Sequence, residues 1–140
     1  MCLSVLKPDR SNLESEGVHG GLEFAVTTSG LGSRCGYVRV PPGHPCHGMD
    51  YDSVVVDVHG GLTFGSADVD CDADGADGSW WFGFDCCHNH DLSDDALLDE
   101  MHRGLEARYP GLKNPWATVK DNAHVVRECE SLASQLAAMT

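Results

Sequence analysis

Residues 79–105 read SWWFGFDCCHNHDLSDDALLDEMHRGL, and the fold class turns on a change of period inside them. From Ser79 to Cys86 the run is aromatic and interrupted by Gly83, a composition that suits a pleated strand and makes a poor helix. From Ser93 the character changes. Ser93-Asp94-Asp95 sets a hydroxyl cap and two carboxylates at a helix start, where the peptide dipoles favour negative charge. Leu97, Leu98, Met101 and Leu105 follow at helical spacing, and Tyr109-Pro110-Gly111 stops the run.

Towards the N-terminus the strand character continues. Short β-rich runs at 22–28, 36–40, 53–58, 62–64 and 79–86 are punctuated by glycine. Towards the C-terminus a second helix is expected over 118–138. Thr118 and Asp121 approximate a capping box there, and Val125, Cys129, Leu132 and Leu136 form a buried stripe widened by Val126 and Ala133. The predicted fold is α+β: a mostly antiparallel β-sheet with two C-terminal helices, near 94–107 and 118–138, packed on one face. Residues 1–17 are polar without periodicity and read as a flexible N-terminal arm, which leaves 18–140 as a single α+β domain. VHGGLEF at 18–24 matches VHGGLTF at 58–64 in six of seven positions, as a duplicated β-hairpin or a coincidence would.

The charge balance excludes some functions. The 140 residues carry 9 Lys and Arg against 22 Asp and Glu, a formal charge of −13. Long nucleic acid is a poor partner for that surface, because its binding relies on lysine and arginine displacing counterions. A small polyanion in a local basic or metal-containing pocket stays open. No apolar run approaches the roughly 18 residues of a membrane span, and Met1–Pro8 lacks the apolar core of a signal peptide. Seven cysteines, two of them adjacent and none in C-x-x-C spacing, fit reduced thiols better than a disulfide framework. The expected location is the cytoplasm.

Chemistry-bearing residues crowd two stretches, His59-Gly60-Gly61-Leu62-Thr63 and Asp85-Cys86-Cys87-His88-Asn89-His90-Asp91. If 62–64 and 79–86 pair as an antiparallel hairpin, His59 and His88 share its open end. His59, Asp85 and His88 are the candidate catalytic residues, with a histidine as general base or metal ligand and Asp85 as its orienter or co-ligand. Cys86 is open as ligand or nucleophile. His88 and His90, at i and i+2, face one side of an extended chain, and with Asp91 they are the candidate metal set for Zn²⁺ or Mn²⁺. The competing reading has these histidines merely hydrogen-bonding nearby backbone.

A second cluster runs from Arg39 to Tyr51 through a proline-stiffened loop. Arg39, His44 and Tyr51 there, with Gly60, Gly61, Thr63 and Trp81, are the candidate ligand-binding residues for a phosphate and a base. A purely structural crossover is the alternative. The acidic run Asp68–Gly78 starts like a calcium loop from Asp70, but its twelfth position is Trp81 rather than Glu, so a solvated acidic tip is the better reading.

The runs GYVRVPPGHPCHGMDYD (36–52), VHGGLTF (58–64), WWFGFDCCHNHD (80–91) and RECESLASQLA (127–137) resemble a family of small proteins from tailed phages and bacterial prophages. The likeness covers about residues 36–64, 79–91 and 116–137. Cys87 stands where that family usually has a small residue, and the acidic loop 66–78 is longer than usual. The resemblance brings no activity with it; by association, the phage setting points to an accessory protein that counters host defence in the host-cell cytoplasm. Its expected ligand is a small nucleotide-derived molecule such as a host immune signal. Three modes remain: a phosphodiesterase-like hydrolase, a non-catalytic binder that sequesters the ligand as a homo-oligomer, or a protein–protein inhibitor of a host factor.

Overall fold

The computed structural model describes residues 3–67, 78–109 and 115–139. The sheet starts at the first VHGG sequence. Gly20 and Gly21 take φ of +59° and +82°, the pair of left-handed conformations that joins two twisted antiparallel strands in two residues. This turn folds β1 (Leu13–His19) onto β2 (Leu22–Thr28), with His19 opposite Leu22. β3 (Arg34–Val40) pairs with β2. β4 (Phe64–Ala67) and β5 (Trp80–Asp85) complete a five-stranded antiparallel sheet of order β1-β2-β3-β5-β4.

Alternation along the strands makes two apolar faces. Phe24, Val26, Val38, Val40, Phe82 and Phe84 form one, covered by α2 (Asn122–Ala137) through Val125, Cys129, Leu132 and Leu136. All four stripe residues are buried, as their spacing predicts. Burying each large apolar side chain contributes about 1.5–3 kcal/mol. The helix comes close because β3 offers Gly36: a Cβ there would sit 2.6 Å from Cys129 Sγ. Ala25, Tyr37 and Trp81 form the other face, beneath Leu3, Val5, Leu6 and Leu13.

The α+β class holds, with several corrections. The expected N-terminal arm is largely built into the fold. Leu13–Gly17 belong to β1, and Leu3 is 5% exposed. The inward positions of β1 are Leu13, Ser15, Gly17 and His19, so its alternation has little hydrophobic contrast. Residues 53–58 form no strand: a 3₁₀ turn at Tyr51–Ser53 leads into irregular chain. The Gln135 amide takes the place of a neighbouring strand there. It accepts from Asp57 N–H at 2.7 Å and donates to Asp57 C=O at 2.7 Å. The expected strand at 62–64 forms later, as β4, with Phe64 opposite Gly83.

The helical half shifts too. A 3₁₀ turn at Asp95–Leu97 precedes α1 (Glu100–Arg108), whose N-cap is Asp99, so the apolar spacing from Leu97 to Leu105 spans a break between two elements. α1 buries no residue, and the helix that covers the sheet is α2 alone among the described residues. Asp121, not Thr118, caps α2, its carboxylate accepting from His124 N–H at 2.9 Å. Thr118 lies instead in β7 (Thr118–Val119), which runs parallel to β6 (Asp91–Leu92). That bridge sets the start of α2 beside the end of β5. The acidic run at 68–77 lies outside the described residues.

Candidate functional site

Three segments converge where β5 ends. β5 delivers Asp85 and Cys86, and a turn closed by Asp91 N–H on His88 C=O at 2.9 Å carries the chain into β6. The second VHGG sequence turns with Gly60 and Gly61 at φ +68° and +80° and presents His59. The first turn of α2 presents His124, and Lys120 reaches in from just before it.

Asp91 is the centre. Its side chain is 2% exposed. Oδ2 accepts from His59 Nε2 at 2.9 Å, from His88 Nδ1 at 2.9 Å and from the His88 backbone N–H at 3.0 Å. Oδ1 faces Lys120 Nζ at 3.2 Å as an ion pair, without a well-angled hydrogen bond. Burial alone would raise this carboxyl. The hydrogen bonds from His59 and from the ring and backbone of His88, with Lys120 beside them, outweigh it and hold the pKa at about 2.

An ionised carboxylate carries no proton, so both ring nitrogens facing it must donate. Neutral His59 then carries its hydrogen on Nε2 and leaves Nδ1 bare. Neutral His88 carries its hydrogen on Nδ1 and leaves Nε2 bare. The bare Nδ1 of His59 faces His124 Nε2 at 3.3 Å. Burial, and then the neighbouring His59, lower the His124 pKa. The bare Nε2 of His88 lies 3.6 Å from Asp85 Oδ1, too far for a hydrogen bond. Asp85 is itself held by Thr63 Oγ1 at 3.0 Å and by Cys87 N–H at 3.1 Å. Only glycine leaves room for the His88 ring, since a Cβ on Gly60 would sit 2.6 Å from its Nε2. Cys86 is buried, and burial with the nearby Asp91 charge pushes its thiol up to about 12. At neutral pH that thiol is protonated, so the nucleophile role is the weaker of its two readings. An open groove of about 240 Å³ adjoins the cluster, lined by Leu31, Ser33, Cys86, Cys87, His88 and Ser93 among others.

The expected catalytic trio is largely assembled: the His59 and His88 rings lie 5.6 Å apart, and Asp85 adjoins His88. Gly60, Gly61 and Thr63 frame it. The expected metal set is not, because His90 joins neither group of converging ligand atoms. What His90 contributes is its carbonyl, which accepts from Lys120 Nζ at 2.9 Å and Thr118 N–H at 3.0 Å.

The other expected ligand contacts lie elsewhere. Arg39 is bound to Glu23 at 3.0 Å. Trp81 is 0% exposed in the second core. His44 is 6% exposed; its Nδ1 accepts from Cys46 N–H at 3.0 Å and its Nε2 donates to Leu136 C=O at 2.7 Å, so it pins the loop to α2. Tyr51 is exposed in its 3₁₀ turn beside Gly65. Sequence reasoning missed His124 and Lys120 altogether. The one signal for His124 is the repeated VHGG, whose two histidines both land on α2: His19 Nε2 lies 2.9 Å from Ser134 Oγ, while His59 meets His124.

No protein-family model, no curated protein and no solved structure matches this chain.

Proposed function

We propose that this protein is a small hydrolase in which His88 Nε2 takes a proton from a water in the adjoining groove. Asp91 holds the His88 tautomer, and His59 and Asp85 flank it. The observation that carries this reading is the 2.9 Å contact from His88 Nδ1 to a carboxylate held ionised, which leaves the opposite ring nitrogen bare. A buried carboxylate behind an imidazole is how hydrolases hold a general base in its working tautomer. Such a base contributes roughly 10²–10⁴ in rate.

The proposed substrate is a small nucleotide-derived phosphoester, a ligand class taken by association from the phage setting. A groove of about 240 Å³ is of a size to take the reacting phosphate and its immediate neighbours. Arg39 does not supply the phosphate contact, since Glu23 holds it. The proposed setting is that of a phage accessory protein acting on a host signal in the host-cell cytoplasm.

The test is incubation with a panel of cyclic and linear nucleotides, followed by chromatography. The wild type should consume at least one of them. His88→Gln should lose about 10²–10⁴ of that rate with little change in melting temperature. Ligand returned intact from the denatured protein would establish sequestration instead. A panel neither consumed nor bound would refute the hydrolase and favour a protein–protein inhibitor.

A further inference from the structure

We infer that His59 Nδ1, His124 Nε2 and Cys86 Sγ form a zinc site, with Asp91 orienting His59 from behind. The inference goes beyond acid–base hydrolysis and stands independently of it.

The first support is a distance. Zinc in a tetrahedral site binds nitrogen at about 2.0–2.1 Å, so two nitrogen ligands of one ion lie about 3.3–3.4 Å apart. His59 Nδ1 and His124 Nε2 are 3.3 Å apart. Cys86 Sγ and one ring nitrogen each of His59 and His124 lie within 4.8 Å of one another. A tetrahedral nitrogen–sulfur edge is about 3.6 Å, so each sulfur–nitrogen edge exceeds it by no more than about 1.2 Å.

The second support is the hydrogen bond on the far side of His59. Metal-bound imidazoles usually donate their other N–H to a carboxylate, which fixes the ring and its tautomer. His59 Nε2 donates to Asp91 Oδ2 at 2.9 Å, and Asp91 is itself fixed by His88 and Lys120. The bare nitrogen of His59 therefore faces His124.

A rival set, His59 Nε2 with His88 and Asp91, also converges within 4.8 Å. Its members meet at 2.9 Å, shorter than a ligand–ligand edge. That set is the support, not the site. The donors also select the ion. One thiolate and two imidazoles favour zinc over manganese, which prefers oxygen.

Binding converts the Cys86 thiol to thiolate and releases its proton to solvent, while the His124 hydrogen transfers from Nε2 to Nδ1 through water. Three protein ligands leave a fourth position for water or a phosphoryl oxygen.

The test uses the full chain without a polyhistidine tag, stripped by chelator and titrated with Co²⁺ and then Zn²⁺. One cobalt per chain should bind, with a cobalt–thiolate charge-transfer band and the strong visible bands of tetrahedral cobalt, both displaced by one zinc. Cys86→Ser should abolish the charge-transfer band and Cys87→Ser should keep it. His124→Ala should remove the tetrahedral bands, and Asp91→Asn should weaken affinity about 10–100-fold. X-ray absorption of zinc-loaded wild type, which needs no variant to fold, should give one sulfur and two imidazoles. Absence of a thiolate band in folded wild type, its survival in Cys86→Ser, or a sulfur-free zinc shell would overturn the site. Zinc bound as described while nucleotides stay intact would support the site and remove the hydrolase reading.

Discussion

His59 Nδ1 faces His124 Nε2 at 3.3 Å, joining a glycine turn to the first turn of a helix 65 residues away in sequence. The contact has a counterpart. His19, at the same place in the first VHGG turn, meets α2 further along, with Nε2 at 2.9 Å from Ser134 Oγ and Nδ1 at 3.2 Å from Glu130 Oε2. Both turns place two glycines at positive φ and aim the preceding histidine at one helix. The first closes a strand pair. The second opens into irregular chain before β4, which leaves His59 free of sheet pairing and able to pack beside Asp91.

The two glycines of the second turn should respond differently to alanine. Both sit at positive φ, where an added Cβ costs about 1–2 kcal/mol. At Gly61 nothing lies within 4 Å of the new atom, so Gly61→Ala should lose that stability and keep the site. At Gly60 the new atom would strike the His88 ring. Gly60→Ala should displace His88 and abolish nucleotide turnover or binding. Melting curves and turnover measured on both variants check this, and equal loss of activity in the two would refute it.

His44→Ala should behave as a structural change. Removing the ring leaves the backbone N–H of buried Cys46 without its partner and takes the His44 contact from Leu136 C=O, which keeps Met139 N–H at 3.1 Å. The expected cost is about 1–3 kcal/mol by urea denaturation, with ligand affinity of the folded protein unchanged.

Acid stability should depend on Glu14. Burial alone would raise its carboxyl; hydrogen bonds from Arg34 and Asn122 outweigh that and hold its pKa below the ordinary 4.5. A carboxylate lowered by folding stabilises the protein fully above its unfolded pKa, and that contribution is lost as pH falls through the folded one. Urea midpoints of the wild type should therefore fall below about pH 4.5 more steeply than those of Glu14→Gln. Parallel profiles would contradict the assignment.

What could be read ahead of the structure followed from periodicity. The α2 stripe was legible because four apolar residues at helical spacing needed one buried face. β1 was not, because its inward positions are mostly small or polar and the Phe24 ring fills the space over Gly17. The valines of 53–58 read as a strand, but the chain found an amide, Gln135, where a strand would have been. In the site, His59 and His88 were legible because a hairpin places its two ends together. His124 was not, since only the packing of α2 brings it there. Arg39, His44 and Trp81 show the converse: each residue type suits a ligand, and each is engaged by ion pairing, backbone or core.

The tautomers of His59 and His88 test the site most directly, because both follow from the single ionised carboxylate of Asp91. Long-range ¹H–¹⁵N spectra of the histidine side chains in metal-free protein, near neutral pH, read them without any substrate. The hydrogen should reside on Nε2 of His59 and on Nδ1 of His88, leaving one bare nitrogen towards His124 and the other beside Asp85. Asp91→Asn should disturb both together. A His88 ring protonated on Nε2 and bare at Nδ1, or a His59 ring bare at Nε2, would contradict the account.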